Sequence, residues 1–180
     1  MDMTTMRTGN PLVVPEVLVC IDLDNVNISL ESIGKRVDYR ALLTYFFDEC
    51  GGGASVSAFV FSGIRPNETA QKIANLQYLS NLGFTVTETK GTSEKANSDV
   101  ALTLLAAEHL LAYNKPAAFV LFSGDRDYIP LLELARKHKV EAVIFAARRS
   151  LSRDLEKSVA TVYHLDDQPF VRPLHSEGAA

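Results

Sequence analysis

Two short acidic clusters are the part of this sequence best suited to chemistry: Asp22-Leu23-Asp24-Asn25-Val26-Asn27 and Ser123-Gly124-Asp125-Arg126-Asp127. Each follows directly on an apolar run, EVLVCI before the first and AAFVLF before the second. A third acid, Asp99, opens the apolar stretch DVALTLLAAEHLLAY. Carboxylates gathered from separate stretches repel, and each raises the other's pKa unless a cation sits among them. All-oxygen ligands suit Mg²⁺ or Mn²⁺, hard cations that keep several waters for substrate and nucleophile. Such a cation activates water and stabilises charge on a scissile phosphate. Asp22, Asp99 and Asp125 are therefore the candidate catalytic residues and, with Asp127, the candidate ligands of Mg²⁺ or Mn²⁺. Each acid alone has a local alternative. Asp99 and Asp127 stand where helices begin, and caps there need no cation.

The elements that must position these acids alternate along the chain. Apolar runs predict strands over 16–23, 55–63, 84–89, 117–124, 140–147 and 161–166, the last at an edge. Helical patterns predict helices over 37–50, 66–83, 99–113, 126–139 and 152–160, with Asp38 and Ser152 as N-caps. Repeated strand–helix–strand order implies parallel strands joined by right-handed crossovers, with helices on both faces. Apart from 84–89, which alternates, the strands are continuous apolar runs, which fits a sheet covered on both sides. The expected fold is a three-layer α/β/α, Rossmann-like domain with a mostly parallel sheet of five or six strands. It spans residues 15–167, with flexible tails at 1–14 and 168–180. In such sheets ligands bind beyond the carboxyl ends of the strands, which is where both acidic clusters fall.

Composition narrows the class. The chain has 180 residues, of which 47% are hydrophobic, enough for one domain with a real core. Two cysteines, Cys20 and Cys50, make no disulfide framework and no zinc spacing, so both read as small buried hydrophobes. No run approaches the roughly 20 apolar residues needed to span a bilayer, and the N-terminus lacks a signal-peptide core, so a cytoplasmic protein with no membrane contact is expected. Eighteen basic against 22 acidic residues give a net charge of −4. That balance disfavours a passive nucleic-acid binder, which is usually basic. It does not disfavour a site where a cation bridges acids to phosphate.

At these residues the sequence resembles the NYN domain family of PIN-like ribonucleases. The matching pieces are VCIDLDNVN, KANSDVAL, FVLFSGDRDYIPLL and SRDLEKSVATVYHL, in the family's order, from about Val17 to Leu165. SGDRDYIPLL is the most specific of them. The resemblance implies a PIN-like fold, a divalent metal and hydrolysis of RNA, with RNA as the partner. It carries metal-ligand roles onto Asp22, Asp99 and Asp125 and site-shaping roles onto Asn25, Ser123 and Asp127. In one respect the chain departs from the pattern: many relatives carry another Asp one to two turns into the helix opened by Asp99, and here Val100–Leu105 holds no acid. Glu108 lies roughly 13 Å along such a helix, too far to share a metal, which leaves Asp24 or Asp127 to compensate.

Candidate substrate-binding residues are Asn25, Ser123, Lys95, Arg126, Arg148 and Arg149; Lys90 and Arg153 are further cations near the same edge. Basic side chains there neutralise phosphates without reading bases. Ser62, after the second strand, is a further phosphate-binding candidate. Tyr128 could stack a base, although its place at the start of an apolar helix favours the core. His109 and His138 lack a nucleophile partner, which excludes a hydrolytic triad.

Two other functions fit parts of the chain. Asp22-Leu-Asp24-Asn-Val26 matches the DxDx[TV] motif of haloacid-dehalogenase-like phosphatases, in which Asp22 would be the nucleophile and Asp24 the general acid/base. A non-catalytic nucleic-acid-binding or regulatory module with a weakened acidic site is the other. The all-round apolar character of LTLLAAEHLLAY points to burial in a core or in a homo-oligomer.

Overall fold

Seven residues of nearly unbroken apolar chain, Glu16–Asp22, form the strand β1 at the middle of a six-stranded parallel sheet. The computed structural model describes residues 16–50, 53–64, 70–90, 97–159 and 161–174. The other strands of the sheet are β3 (Ser55–Ile64), β4 (Thr85–Lys90), β5 (Ala118–Phe122), β6 (Glu141–Ala146) and β7 (Thr161–His164), and their order is β4-β3-β1-β5-β6-β7. The expected α/β/α fold with five or six strands is therefore the observed one.

Helices α1 (Leu23–Glu31), α2 (Tyr39–Glu49) and α3 (Ala70–Leu82) cover one face. Helices α4 (Ser98–Leu111), α5 (Ile129–Lys137) and α6 (Arg153–Ser158) cover the other. Successive side chains of a strand point to opposite faces. Val17, Val19 and Ile21 of β1 accordingly enter one core, and Leu18 and Cys20 the other. Connections from β1 lead toward β4, whereas those from β5 lead toward β7. The direction thus reverses between β1 and β5, the place where such sheets open a crevice beyond their carboxyl ends.

The predicted N-caps hold: Asp38 accepts from the Ala41 N–H and Ser152 from the Asp154 N–H. Asp99 is not a cap, because Asn97 stands at that position and Asp99 falls in the first turn of α4. The helix expected over 126–139 begins instead as a 3-10 turn, Arg126–Tyr128, before α5. Pro130 then occupies the first turn of α5, where its missing N–H costs nothing.

Residues 168–174, expected as the start of a loose tail, belong to the domain. A short strand β8 (Val171–Pro173) pairs antiparallel with β2 (Lys35–Val37), and Phe170 packs into the core against Phe122, Phe145 and Tyr45. A buried aromatic ring outweighs the polar neighbours that make the segment look tail-like. The expectations for residues 1–14 and 175–180 lie outside the described residues. On α4, Leu102, Ala106 and Leu110 are buried, while Val100, Leu104 and Leu111 are exposed. His109 packs its ring against Phe59, as a core-facing histidine. Among the described residues no helix is long and apolar enough to cross a membrane.

Candidate active site

Asp22 ends β1 and caps α1, accepting the Asn25 N–H at 3.2 Å. Its Oδ2 accepts from the Tyr128 hydroxyl at 3.1 Å and from the Ser123 hydroxyl at 3.4 Å. The residue is only 9% exposed. Burial is the largest influence on it and raises its pKa to about 6, against the lowering effect of these hydrogen bonds. Among the described residues none of its hydrogen-bond partners is a cation. A desolvated carboxylate with neutral partners, on the floor of the crevice, fits the company of a bound cation.

The other two acids of the expected triad stand near enough to act on Tyr128, the hydroxyl that bonds Asp22. The Tyr128 phenol, 2% exposed, is held well above its ordinary pKa first by burial. The charge and bond of Asp22 raise it next, and then the charges of Asp99 and Asp125. The same phenol thus senses all three carboxylates, and it bonds to that of Asp22. Asp125 follows β5 and caps the 3-10 turn through the Asp127 N–H at 3.0 Å. Asp99 arrives because α4 crosses back over β1 and β3 on its way to β5. Tyr128, read from sequence as a core residue, is both core and carboxylate support.

The loop after β5 is stitched down on three sides. Ser123 Oγ accepts from the Asp125 N–H at 3.2 Å while donating to Asp22, so one hydroxyl links two acids. Asn25 Oδ1 accepts the Gly124 N–H at 3.1 Å, tying the loop to α1. Gly124 O accepts from the Ser152 N–H at 3.0 Å, tying it to the cap of α6. Ser123 is fully buried, which corrects its expected substrate contact: its hydroxyl is committed to the two acids. The side-chain carbonyl of Asn25 is likewise committed to the loop, so both residues shape the site.

Asp24 cannot stand in for the missing helix acid. Its Oδ2 accepts the Gly63 N–H at 3.0 Å, and its Oδ1 pairs with Lys72 at 2.9 Å and accepts from Ser62 at 3.5 Å. Lys72 also donates to Gly63 O at 2.7 Å. This cluster anchors α1 and α3 to the end of β3. It occupies the carboxylate that a phosphatase of the DxDx type would need as acid/base. It also buries Ser62 completely inside β3, away from any phosphate. Sequence reasoning missed Lys72, since nothing in its local pattern signals a partner 48 residues away.

The expected cations fare unequally. Arg126, Arg149 and Arg153 are exposed beyond the carboxyl ends of β5 and β6. Arg148 pairs with Asp167, and its N–H donates to Asp166, which fastens the β6 turn to the segment after β7. Lys90 ends β4, two strands from β1. Lys95 lies outside the described residues.

Among the described residues no three acidic, histidine or cysteine side chains stand together as a metal-holding group. The four expected ligands thus form no closed cage, because Asp22 and Asp125 turn to nearby N–H donors. Mg²⁺ does not require a cage: it is commonly bound through one or two carboxylates and keeps its waters. A buried carboxylate, Asp22, with the exposed Asp99 and Asp125 at the same edge of the sheet fits that mode.

These features define a doubly wound α/β domain with acids at its topological switch point. The crystal structure of a protein of unknown function from Vibrio parahaemolyticus has the same fold, with a TM-score of 0.70 over 90% of this chain and 98% of that one, at 19% identity. Comparison with curated proteins gives no match. The NYN domain family matches residues 16–166, most of the chain, and the protein belongs to that family of PIN-like nuclease domains.

Proposed function

We propose that this protein is a metal-dependent ribonuclease that hydrolyses phosphodiester bonds of single-stranded RNA at Asp22, Asp99 and Asp125, with Mg²⁺ or Mn²⁺ as cofactor. The observation that carries this reading is Asp22, a carboxylate at the switch point, 9% exposed and bonded only to neutral donors among the described residues. Burying a charged carboxylate without a counter-charge costs several kcal/mol. Such costs cluster at functional sites.

Asp22 would hold the cation from the floor of the crevice, with Asp99 and Asp125 at its rim. When bound, a divalent cation supplies a nucleophilic water at neutral pH and offsets charge building on the phosphate. The remaining work falls to the chain's own groups. Tyr128 and Ser123 fix the orientation of Asp22, and Asn25 fixes the loop that presents Asp125. Arg126 and Arg149 suit phosphate oxygens on the same edge, as does Lys95 by its place in sequence. Arg148 can join them, because an exposed ion pair such as that with Asp167 is worth at most about 1 kcal/mol.

The test is cleavage of a labelled mixed-sequence single-stranded RNA by wild type, Asp22→Asn and Asp125→Asn, with Mn²⁺ or Mg²⁺ and with chelator. Cutting is expected only with the metal, and a loss of more than about 100-fold is expected in Asp22→Asn, since even removing a group that only orients a metal ligand costs 10–100-fold. Cutting that survives both substitutions rejects this site. RNA binding without cutting transfers the reading to a binding module.

A further inference from the structure

We propose that two copies of this chain pair through the outer face of α4, helix against helix and antiparallel. The inference stands apart from the ribonuclease reading and goes beyond it. The inner face of α4 sends Leu102, Ala106 and Leu110 into the core. A helix on the surface of a lone domain turns polar and charged residues outward. On α4, Val100, Leu104 and Leu111 are instead 51%, 61% and 58% exposed. Tyr113, just past the end of the helix, is fully exposed. Helix α5, in the same layer, shows the solvated pattern: Glu133, Arg136 and Lys137 are among its exposed residues. The contrast singles out α4 as the face that a partner covers.

The pattern of the face selects that partner. Val100, Leu104, Ala107 and Leu111 follow one another at intervals of four, three and four residues, the spacing of a seam between two paired helices. That spacing reads the same in both directions. An antiparallel second copy therefore meets it layer by layer. Val100 lies against Leu111 of the second copy, and Leu104 against its Ala107, large against small. Such a contact is isologous and closes at two copies. A parallel copy would instead set Ala107 against Ala107 and align the two helix dipoles. Charge agrees with this choice. Helix α4 holds no Lys or Arg, so its face attracts neither the phosphates of RNA nor an anionic membrane surface. Glu108, the acid beside the seam, comes next to Ala101 of the second copy and roughly 7 Å along the axis from the other Glu108. Area sets the strength. The exposed apolar side chains, with Tyr113, offer on the order of 500 Å² per copy, against about 800 Å² per partner in a standard interface. The expected dimer is therefore weak, with a Kd of roughly tens of micromolar or above.

The experiment is sedimentation equilibrium of the full chain across roughly 5–500 µM, a range that brackets such a Kd. The average mass should rise from that of one chain toward that of two. Leu104→Asp and Leu111→Asp should each weaken pairing by about tenfold or more, since each buries a charge in the seam. Both positions are exposed in the single chain, so the variants should keep the wild-type circular dichroism, which separates loss of pairing from loss of fold. Oxidative cross-linking then reads the register, in a Cys50→Ser background because Cys20 is buried and Cys50 only partly so. A mixture of Val100→Cys chains with Leu111→Cys chains should give the mixed covalent dimer. Val100→Cys chains alone should not cross-link, because antiparallel pairing holds the two 100 positions roughly 16 Å apart along the axis. The mass of a single chain at every concentration overturns the proposal. Pairing that survives both Asp substitutions overturns it too, by placing the contact elsewhere. Val100→Cys chains that cross-link with one another, and not with Leu111→Cys chains, overturn the antiparallel register.

Discussion

Burial and hydrogen bonding pull Asp22 in opposite directions, and burial wins: its pKa stands at about 6 against an ordinary 3.8. A group whose folded pKa is raised favours folding in its protonated form. Its contribution to stability is therefore fully present below about pH 4 and is lost as pH rises through 6. A displacement of that size corresponds to roughly 3 kcal/mol in the metal-free chain at pH 7. Urea unfolding in chelator checks this. Asp22→Asn, which carries no charge, should gain on wild type by up to roughly 3 kcal/mol between pH 4 and 6 and little beyond. Tyr128→Phe removes a bond that favours the ion, so the same loss should move to higher pH. A wild-type-to-Asn difference that stays flat over this range would mean that Asp22 ionises without cost. The three acids were legible in the sequence because each stands at the end of an apolar run or the start of an apolar helix. The hydroxyl of Tyr128 and the ammonium of Lys72 were not, because their roles exist only once distant segments meet.

At the scale of elements, the loop between β5 and α5 decides how accurately Asp125 is held. A methyl group on Gly124 would sit 2.4 Å from Ser150 O and 2.7 Å from Ser150 C, both backbone atoms. One of the two loops must then shift, taking with it the Asn25 and Ser152 bonds to Gly124. Gly83 gives the contrast: with φ of 106° it strains any other residue, but it has open space around it and lies between α3 and β4, away from the acids. Gly124→Ala and Gly83→Ala should each cost about 1–3 kcal/mol in urea unfolding. Gly124→Ala alone should also lower the RNA cleavage rate, by tenfold or more on the order expected for a catalytic group misplaced by about 1 Å. Equal activity in the two variants would show that the loop's position does not matter to the site. Most of this framework could be read in advance, since continuous apolar strands separated by capped helices admit few topologies. What escaped reading was α1, whose nine residues mix Asp24, Asn25, Asn27 and Ser29 with β-branched residues. The β2–β8 ribbon escaped as well, because three-residue strands carry too little periodicity to register.

For the molecule as a whole, a cation held by Asp22, Asp99 and Asp125, as proposed, would link cation binding to folding in a chain of net charge −4. A ligand that binds only the folded chain stabilises it by mass action, by about 2.7 kcal/mol at a concentration 100 times its Kd. For a chain of this length that corresponds to a rise in Tm of roughly 5–10 °C. Thermal melts in chelator and in rising Mn²⁺ should therefore diverge, whereas NaCl of matched ionic strength should not reproduce the shift, because screening acts on all surface charges alike. The same melts locate the ion. Asp22→Asn removes the buried carboxylate and should abolish most of the rise. Asp99→Asn/Asp125→Asn removes only the rim and should reduce it in part. Asp24→Asn should melt lower, because it breaks the Lys72 pair, yet keep the full response to Mn²⁺. An equal Mn²⁺ response in all four proteins would place the cation elsewhere on the surface and leave the buried charge of Asp22 without its expected partner.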